Sequence, residues 1–396
     1  MPFYNSKGKI PKKRHTVFKN PKGGIYYEEL VSREGFSYMY SNLYHLNMPT
    51  QVMKLGKFKK FEDRYTYIKE DHKPCHFKSN DLSKLLLYNK DVAISTFHSG
   101  YICTTPDSTK TSIESNNVVN ENVFYRQGDY DALLYIQEGN GLLRTNYGNL
   151  NFHEGDYIVI PRGVIFQYDV NSKYISGLII ESKSPIETPS KYRNRVGQLL
   201  KHSPFCERDI RVPELVDPID EKGEFTVSVR FRTGNKCFVY ENHPFDVVGW
   251  DGYYFPWILN INDFEPITGS IHQPPPVHQT FQAKGFVVCS FVSRLFDYHP
   301  DAIPAPYPHS NVDSDEVIFY SKGNFMSRKG VSEGSITYHP MGLPHGPQPG
   351  KYEESIGKKS TDELAVMIDT FDPLYVTKEA EKCSDENYPF SWLEKK

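Results

Sequence analysis

The chain has 396 residues, with 46 Lys and Arg against 49 Asp and Glu and a formal net charge of −3. This near-balance excludes a basic nucleic-acid footprint spread over the whole molecule, and the length allows two or three domains with a sizeable core. Aromatic residues reach 14%, and 27 Gly and 28 Pro accompany them. Such a composition favours strands and turns over helix bundles.

The amino-terminal residues are basic, since residues 1–24 contain seven Lys or Arg and no acidic residue. We interpret residues 1–30 as a solvated extension over a neighbouring surface, with an arm for nucleic acid or an anionic surface as the alternative. No run approaches the roughly 18 apolar residues of a membrane span, and the six cysteines are dispersed without a CxxC pair. We therefore expect a cytoplasmic protein with no membrane and no nucleic-acid partner.

Beyond this extension, short β-rich segments bounded by Gly, Pro, Asp or Asn predict the strands of a barrel or sandwich. They are Ala132–Ile136, Tyr157–Ile160, Thr226–Phe231, Phe286–Phe291, Val317–Tyr320 and Leu364–Ile368. One helix is predicted near Tyr192–Lys201. Residues 376–396 are expected to form a charged, loosely held tail.

An internal repeat gives more information than the single segments. A glycine, five residues, a proline, one residue, a glycine, two residues and a final side chain occur twice without a gap. The two copies are Gly155, Pro161, Gly163, Phe166 and Gly334, Pro340, Gly342, His345. The first glycine permits a tight turn, and the Pro-x-Gly corner redirects the chain so that the final side chain points into a barrel mouth.

This spacing is the second sequence motif of the cupin barrel, a small double-sheet jelly roll. We therefore predict a mainly β protein of two cupin-like barrels with few short helices. The first barrel is assigned to residues 31–215 and the second to residues 216–375. Since Phe166 has no metal-binding atom and His345 has one, the first barrel is expected to be degenerate and metal-free.

A second motif supplies further ligand candidates. His309 begins a stretch that matches the first cupin motif, with Asn311 where a second histidine is usual and Glu316 separated from Gly323 by six residues. Together with His345, this stretch offers two imidazoles and one carboxylate. That set is the facial triad of non-haem Fe(II) oxygenases, which leaves positions open for substrate and dioxygen.

Two nearby acids compete with this assignment. Asp313 and Asp315 are rival carboxylates, but the six-residue spacer to Gly323 favours Glu316. The structural alternative for the whole cluster is an acidic turn at a barrel rim.

Around these residues the sequence resembles the homogentisate 1,2-dioxygenase family, most densely at residues 245–252, 269–272, 308–311 and 344–347 and more thinly over most of the chain. The resemblance implies Fe(II) held by His309, Glu316 and His345. It implies an extradiol-type reaction that converts homogentisate, a small aromatic substrate, and O2 to maleylacetoacetate in tyrosine and phenylalanine catabolism. It also implies a homo-oligomer, a trimer or a hexamer.

The resemblance further makes His272 the catalytic acid/base and places His339 and His345 beside the bound ring. His278 stays a rival for the base. Phe325 occupies a substrate-binding position where family members commonly have tyrosine, and one extra residue separates the first histidine of the motif from its glutamate. Three alternatives stay open: a dioxygenase for another hydroquinone or catechol, a different metal-dependent cupin enzyme, and a non-catalytic bicupin.

Overall fold

The computed structural model describes residues 3–61, 65–67, 72–78, 84–99 and 122–393. Strands far outnumber helices in these residues, so the predicted mainly β fold class is confirmed. Each of the six predicted strand segments lies within a strand. Of the six cysteines, Cys103 lies outside the described residues and the other five are free thiols.

The described strands, in chain order, are β1 (Asn5–Gly8), β2 (Tyr27–Ser32), β3 (Tyr40–His45), β4 (Val52–Leu55), β5 (Lys59–Lys60), β6 (Cys75–Phe77), β7 (Leu85–Tyr88), β8 (Val92–Ser99), β9 (Val123–Gln127), β10 (Asp131–Glu138), β11 (Gly141–Thr145), β12 (Gly148–Phe152), β13 (Asp156–Ile160), β14 (Ile165–Val170), β15 (Ile175–Ser182), β16 (Ile210–Arg211), β17 (Lys222–Phe231), β18 (Gly234–Asn242), β19 (Val247–Gly252), β20 (Trp257–Asn260), β21 (Gln279–Ala283), β22 (Phe286–Phe291), β23 (Arg294–Leu295), β24 (His309–Ser310), β25 (Asp315–Lys322), β26 (Ile336–His339), β27 (Pro344–His345), β28 (Ser360–Thr361), β29 (Leu364–Thr370) and β30 (Tyr375–Val376). The described helices are α1 (Lys351–Ser355), α2 (Lys378–Lys382) and the 3-10 turns Ser190–Tyr192, Glu207–Asp209, Ile261–Asp263, Pro275–His278 and Tyr388–Phe390.

The chain forms two compact units that alternate along the sequence. Unit 1 comprises Met1–Asp63, Gly100–Ile175 and Ile210–Leu259, and unit 2 comprises Arg64–Ser99, Ser176–Asp209 and Asn260–Lys396. The structure thus divides the chain differently from the consecutive domains 31–215 and 216–375, because strand pairing joins segments that are distant in sequence. Residues 1–30 carry β1 and most of β2, which belong to a sheet of unit 1.

Unit 1 contains the strand runs β1-β19-β3-β2, β12-β11-β14-β9-β17-β18-β4 and β16-β20-β13-β10, with β5 paired to β18. One core cluster consists of Phe124, Ile165, Phe225, Val227, Val229 and Phe245. Phe166, which corresponds in the repeat to His345, is fully buried with its ring centroid 6.1 Å from that of Tyr125. An aromatic ring therefore fills the position that the repeat matches to a histidine.

Unit 2 contains the strand runs β21-β22-β29-β25-β26-β6, β15-β8-β7-β30, β23-β28 and β24-β27. Alternate positions of β22, β25 and β29 point to one face and, with Phe325 from the loop after β25, form an apolar cluster. Its buried members are Cys289, Ile318, Tyr320, Phe325, Ala365 and Met367. This cluster forms the apolar surroundings of the candidate site described below.

The two motif copies adopt the same local structure. In each copy a strand ends at the Pro-x-Gly corner and a second strand follows, β13 to β14 in the first copy and β26 to β27 in the second. The matched glycines share left-handed backbone angles, with φ of 83° at Gly155 and 80° at Gly334, and 86° at Gly163 and 79° at Gly342. The repeat therefore reflects a shared chain path, which only glycine adopts readily at these positions.

The predicted helix at Tyr192–Lys201 is wrong. A 3-10 turn ends at Tyr192, and Arg193 then forms an isolated bridge with Leu199. The Asn194 side chain accepts hydrogen bonds from the backbone N–H groups of Val196 and Gln198. An Asn side chain that binds local backbone in this way competes with helix formation. No helix in the described residues is long and apolar enough to cross a membrane.

Candidate metal centre

Three side chains of unit 2 converge, and they are the three that the spacing predicts. One ligand atom from each of His309, Glu316 and His345 lies within 4.8 Å of the others. Oε2 of Glu316 is 3.8 Å from Nε2 of His309 and 3.5 Å from Nε2 of His345. Within the described ranges this is the group of His, Cys, Asp and Glu side chains with the geometry to hold a metal ion.

The short pair β24-β27 brings the two histidines together, because His309 and His345 are direct cross-strand partners. Each ring is oriented by its own backbone. Nδ1 of His309 lies 3.3 Å from the carbonyl oxygen of Tyr307, and Nδ1 of His345 lies 3.1 Å from that of Leu343. With Nδ1–H donated to a carbonyl, the lone pair of Nε2 is left for a metal, which is the usual arrangement of metal-binding histidines.

The surroundings of His345 show independently that these three side chains fit a metal ion. Nε2 of His345 is buried and has no hydrogen-bond partner among the described residues. A buried polar atom without a partner is costly unless something else satisfies it. Two imidazoles and a carboxylate suit first-row transition metals, including Fe(II).

A row of polar side chains crosses the sheet at Glu316. His339 on β26 and Asp369 on β29 are its direct cross-strand partners, so all three side chains lie on one face. Nδ1 of His339 lies 2.8 Å from Oε1 of Glu316, while Oδ1 of Asp369 is buried without a partner in the described residues. The row places a second carboxylate beside the candidate ligand.

Electrostatics keep Glu316 ionised although it is buried. Burial alone would raise its pKa, but the imidazoles of His339 and His345 outweigh burial and hold the pKa of Glu316 well below its usual range. Burial lowers the pKa of His339 to about 4. Burial, together with the charge of Glu316, raises the pKa of Asp369 to about 7.

The two candidate bases have different environments. His272 is partly exposed, with Nδ1 3.5 Å from Oδ2 of Asp297 and its ring 5.3 Å from that of Tyr307, whose ring is in turn 6.4 Å from His309. His278 is buried against Phe291, and burial lowers the pKa of His278 to about 3. A base with so low a pKa accepts a proton poorly near neutral pH.

Phe325 lies in the apolar cluster of unit 2, with its ring 4.8 Å from that of Tyr320. The hydroxyl of Tyr320 is 3.1 Å from Oγ1 of Thr337, so it already has a partner. Arg328 is buried, and its Nη1 donates a hydrogen bond of 2.7 Å to the carbonyl oxygen of Gly346, directly after His345. Its Nε has no partner among the described residues.

The sequence did not identify Asp297, Asp369, Tyr388 or Trp392 as parts of this centre. Tyr388 and Trp392 lie in the segment that was expected to be a loose charged tail, yet both contact the site. Aromatic residues at 388, 390 and 392 among charged ones were a signal that this segment is anchored. The two carboxylates carried no such signal. Asp369 is placed by the pairing of β29 with β25, and Asp297 by a contact between two segments outside the strands.

Comparison with known proteins identifies the family. A family model described as the homogentisate 1,2-dioxygenase N-terminal domain matches residues 41–261. A protein from Saccharolobus solfataricus, named provisionally as a dioxygenase, is 40% identical over 99% of both chains. The chain belongs to the homogentisate 1,2-dioxygenase family. This membership supports an oxygenase that uses a metal cofactor, for which the residues above are suited.

More distant relatives share the family name. Homogentisate 1,2-dioxygenase from Homo sapiens is 27% identical over 70% of this chain and 65% of its own length. The enzyme of that name from Legionella pneumophila strain Corby is 25% identical over 94% of this chain and 91% of its own length. Among solved structures, a cupin 2 barrel protein from Leptotrichia buccalis is 10% identical and has a TM-score of 0.31, and the match covers 78% of this chain and 100% of that one.

Proposed function

We propose that this protein is an Fe(II)-dependent ring-cleaving dioxygenase that converts homogentisate and O2 to maleylacetoacetate in tyrosine and phenylalanine catabolism. The convergence of His309, Glu316 and His345 in a member of this family carries the proposal. Both oxygen atoms of O2 enter the product, so the reaction needs no external reductant. The proposed compartment is the cytoplasm, and the proposed assembly is a trimer or hexamer, which light scattering on the purified protein tests.

His309, Glu316 and His345 would hold the ion through two imidazoles and one carboxylate, a donor set that leaves coordination positions for other ligands. When bound, Fe(II) supplies a template for a phenolic substrate and dioxygen, and a path for electrons between them. The apolar cluster around Phe325 contacts the ring and excludes water. Water exclusion strengthens the electrostatic interactions inside the site.

His272 is the proposed general base for the substrate hydroxyl. Asp297 lies beside Nδ1, so Nε2 is the free nitrogen that accepts the proton, and the carboxylate stabilises the imidazolium that forms. His278 is the weaker candidate because burial lowers the pKa of its ring to about 3.

Arg328 is the proposed anchor for the carboxylate of homogentisate. It is a buried cation whose Nε has no partner among the described residues, and it lies three residues along the chain from Phe325. The Coulombic effect of Tyr320 and other neighbours outweighs burial and raises the pKa of Arg328, so its charge persists at all working pH values. Guanidinium groups bind carboxylates through paired hydrogen bonds.

Oxygen uptake tests the proposal directly. Protein loaded with Fe(II) under anaerobic conditions and given homogentisate and air should consume oxygen and form a ring-opened product with strong near-ultraviolet absorbance. Gentisate and plain hydroquinone serve as matched substrates. Uptake with one of these but not with homogentisate supports the second candidate, a related dioxygenase for another hydroquinone or catechol, which the apolar Phe325 favours.

Two negative outcomes are distinct. Metal binding without oxygen uptake on any hydroquinone or catechol would indicate a different metal-dependent cupin enzyme. Failure to bind any divalent metal would indicate a non-catalytic bicupin.

A further inference from the structure

The carboxy-terminal segment 388–392 contacts the candidate metal centre at two places. The hydroxyl of Tyr388 lies 3.0 Å from Nε2 of His339, and Nε1 of Trp392 donates a hydrogen bond of 3.0 Å to the carbonyl oxygen of Gly346. We propose that Tyr388 is a positioning residue that acts through His339 to hold the carboxylate of Glu316 in place for the metal. This inference rests on the metal site of the proposed function.

The hydrogen bonds from Tyr388 to Glu316 have one consistent direction. The ionised carboxylate of Glu316 is an acceptor, so Nδ1–H of His339 donates to it. In a neutral imidazole the other nitrogen is then an acceptor, and the Tyr388 hydroxyl donates to Nε2. The phenol therefore fixes the tautomer that the carboxylate requires.

The ring of His339 has little freedom in this arrangement. It stacks on the ring of His345 at 4.7 Å with an interplanar angle of 8°, and both of its nitrogens are engaged. A substrate contact by His339 would require one of these hydrogen bonds to break. His339 is thus better suited to orient Glu316 than to bind the substrate ring. Binding the substrate ring is the role that the family resemblance implies for His339.

The second contact involves the residue that follows His345. The carbonyl oxygen of Gly346 accepts hydrogen bonds from both Trp392 and Arg328. The side chain of Gln348 also donates to Oγ of Ser391 at 2.6 Å. The segment therefore binds next to two of the three candidate ligands, which explains why an otherwise charged tail carries the buried ring of Tyr388 and the partly buried ring of Trp392.

The test compares Tyr388→Phe with Tyr375→Phe, which removes a hydroxyl from an exposed ring of the same unit. The measurement is the metal dissociation constant, obtained by competition with a chelator for Fe(II) without oxygen and for Co(II) by its visible spectrum. Loss of a direct partner of a metal ligand usually weakens binding about 10- to 100-fold, which is the range expected for His339→Gln. Tyr388→Phe, one hydrogen bond further from Glu316, should weaken binding by about the lower end of that range. Tyr375→Phe should match the parent.

A double variant separates positioning from general support. If Tyr388 acts through His339, then Tyr388→Phe in a His339→Gln background adds no further loss of metal affinity, because the connection is already broken. Tyr388→Phe keeps the ring that packs on His76 but leaves the buried Nε2 of His339 without its partner, so the metal-free variant should stay folded with an unfolding temperature below that of the parent. Unchanged metal affinity in Tyr388→Phe, or losses that add in the double variant, would overturn the inference. Absence of metal binding by the parent would instead defeat the proposed function.

Discussion

One oxygen of the Glu316 carboxylate contacts His339, and the other faces the two candidate histidine ligands. Oε1 of Glu316 is held by Nδ1 of His339 at 2.8 Å, and Oε2 faces the Nε2 atoms of His309 and His345. The first contact fixes the orientation of the carboxylate, which leaves the second oxygen as the metal donor. Both contacts depend on strand pairing, so the fold itself brings these side chains together.

The choice of carboxylate can be tested by neutralising it. Glu316→Gln keeps the size of the side chain but removes its charge, so metal affinity should fall by more than the roughly 100-fold upper range seen for outer partners of metal ligands. The matched control is Asp313→Asn, because Asp313 is an exposed rival carboxylate in the loop that precedes β25. Chelator competition measures both affinities. An Asp313→Asn variant that loses metal while Glu316→Gln keeps it would mean that the wrong carboxylate had been chosen.

The assignment of the base predicts a difference between two neighbouring histidines. His272→Gln should keep its metal and lose about 10²- to 10⁴-fold in kcat, the usual contribution of a general base. His278→Gln should change kcat little, because burial lowers the pKa of His278 to about 3. Stopped-flow turnover beside metal analysis measures this. Metal loss in the His272→Gln variant would make His272 a metal ligand. An unchanged kcat in that variant would move the role of general base to His278.

Local spacing was sufficient to predict the three converging side chains. Glycines with left-handed backbone fix the turns at each end of the motif strands, so the distance from Glu316 to Gly323 and from Gly342 to His345 is readable from sequence. The strands were predicted for the same reason, since β-rich runs between turn residues depend on near neighbours.

Long-range pairing was not readable in this way. Asp369 faces Glu316 only because β29 pairs with β25, and nothing in the residues around either acid specifies that partner. The alternating units have the same origin, because each collects strands from three separate stretches. The helix predicted at Tyr192–Lys201 is absent for a local reason. The Asn194 side chain accepts hydrogen bonds from backbone N–H groups that would otherwise bond within a helix.

Phe325→Tyr tests how the substrate ring is recognised. The new hydroxyl would enter the apolar cluster beside Tyr320, where family members commonly have a tyrosine. One added hydrogen bond is worth about 0.5–1.5 kcal/mol, so kcat/KM for homogentisate should rise about 2- to 10-fold. Phe291→Tyr, on the edge of the same cluster, is the control for a hydroxyl at another position. A fall in kcat/KM for Phe325→Tyr would indicate that the site is built for a less polar ring.

A buried histidine in unit 1 makes stability depend on pH. His45 lies between two carboxylates, with Nδ1 2.7 Å from Oδ1 of Asp246 and Nε2 3.1 Å from Oε2 of Glu29. Burial opposes its charge, but the two hydrogen bonds outweigh burial and raise the pKa of His45 to about 9. The protonated ring therefore joins β2, β3 and the turn before β19 near neutral pH.

Because the folded-state pKa of His45 lies above the unfolded value near 6.5, its stabilisation is fully present below about pH 6.5 and is lost as pH rises through 9. The difference in the free energy of unfolding between the parent and His45→Gln should shrink by roughly 2–3 kcal/mol from about pH 6 to about pH 10. Urea unfolding at several pH values measures it. His15→Gln is the control, since it removes an imidazole whose side chain is 99% exposed. A His45→Gln difference that stays constant across this window would show that the ring is neutral in the folded protein and that the two carboxylates do not hold a charge on it.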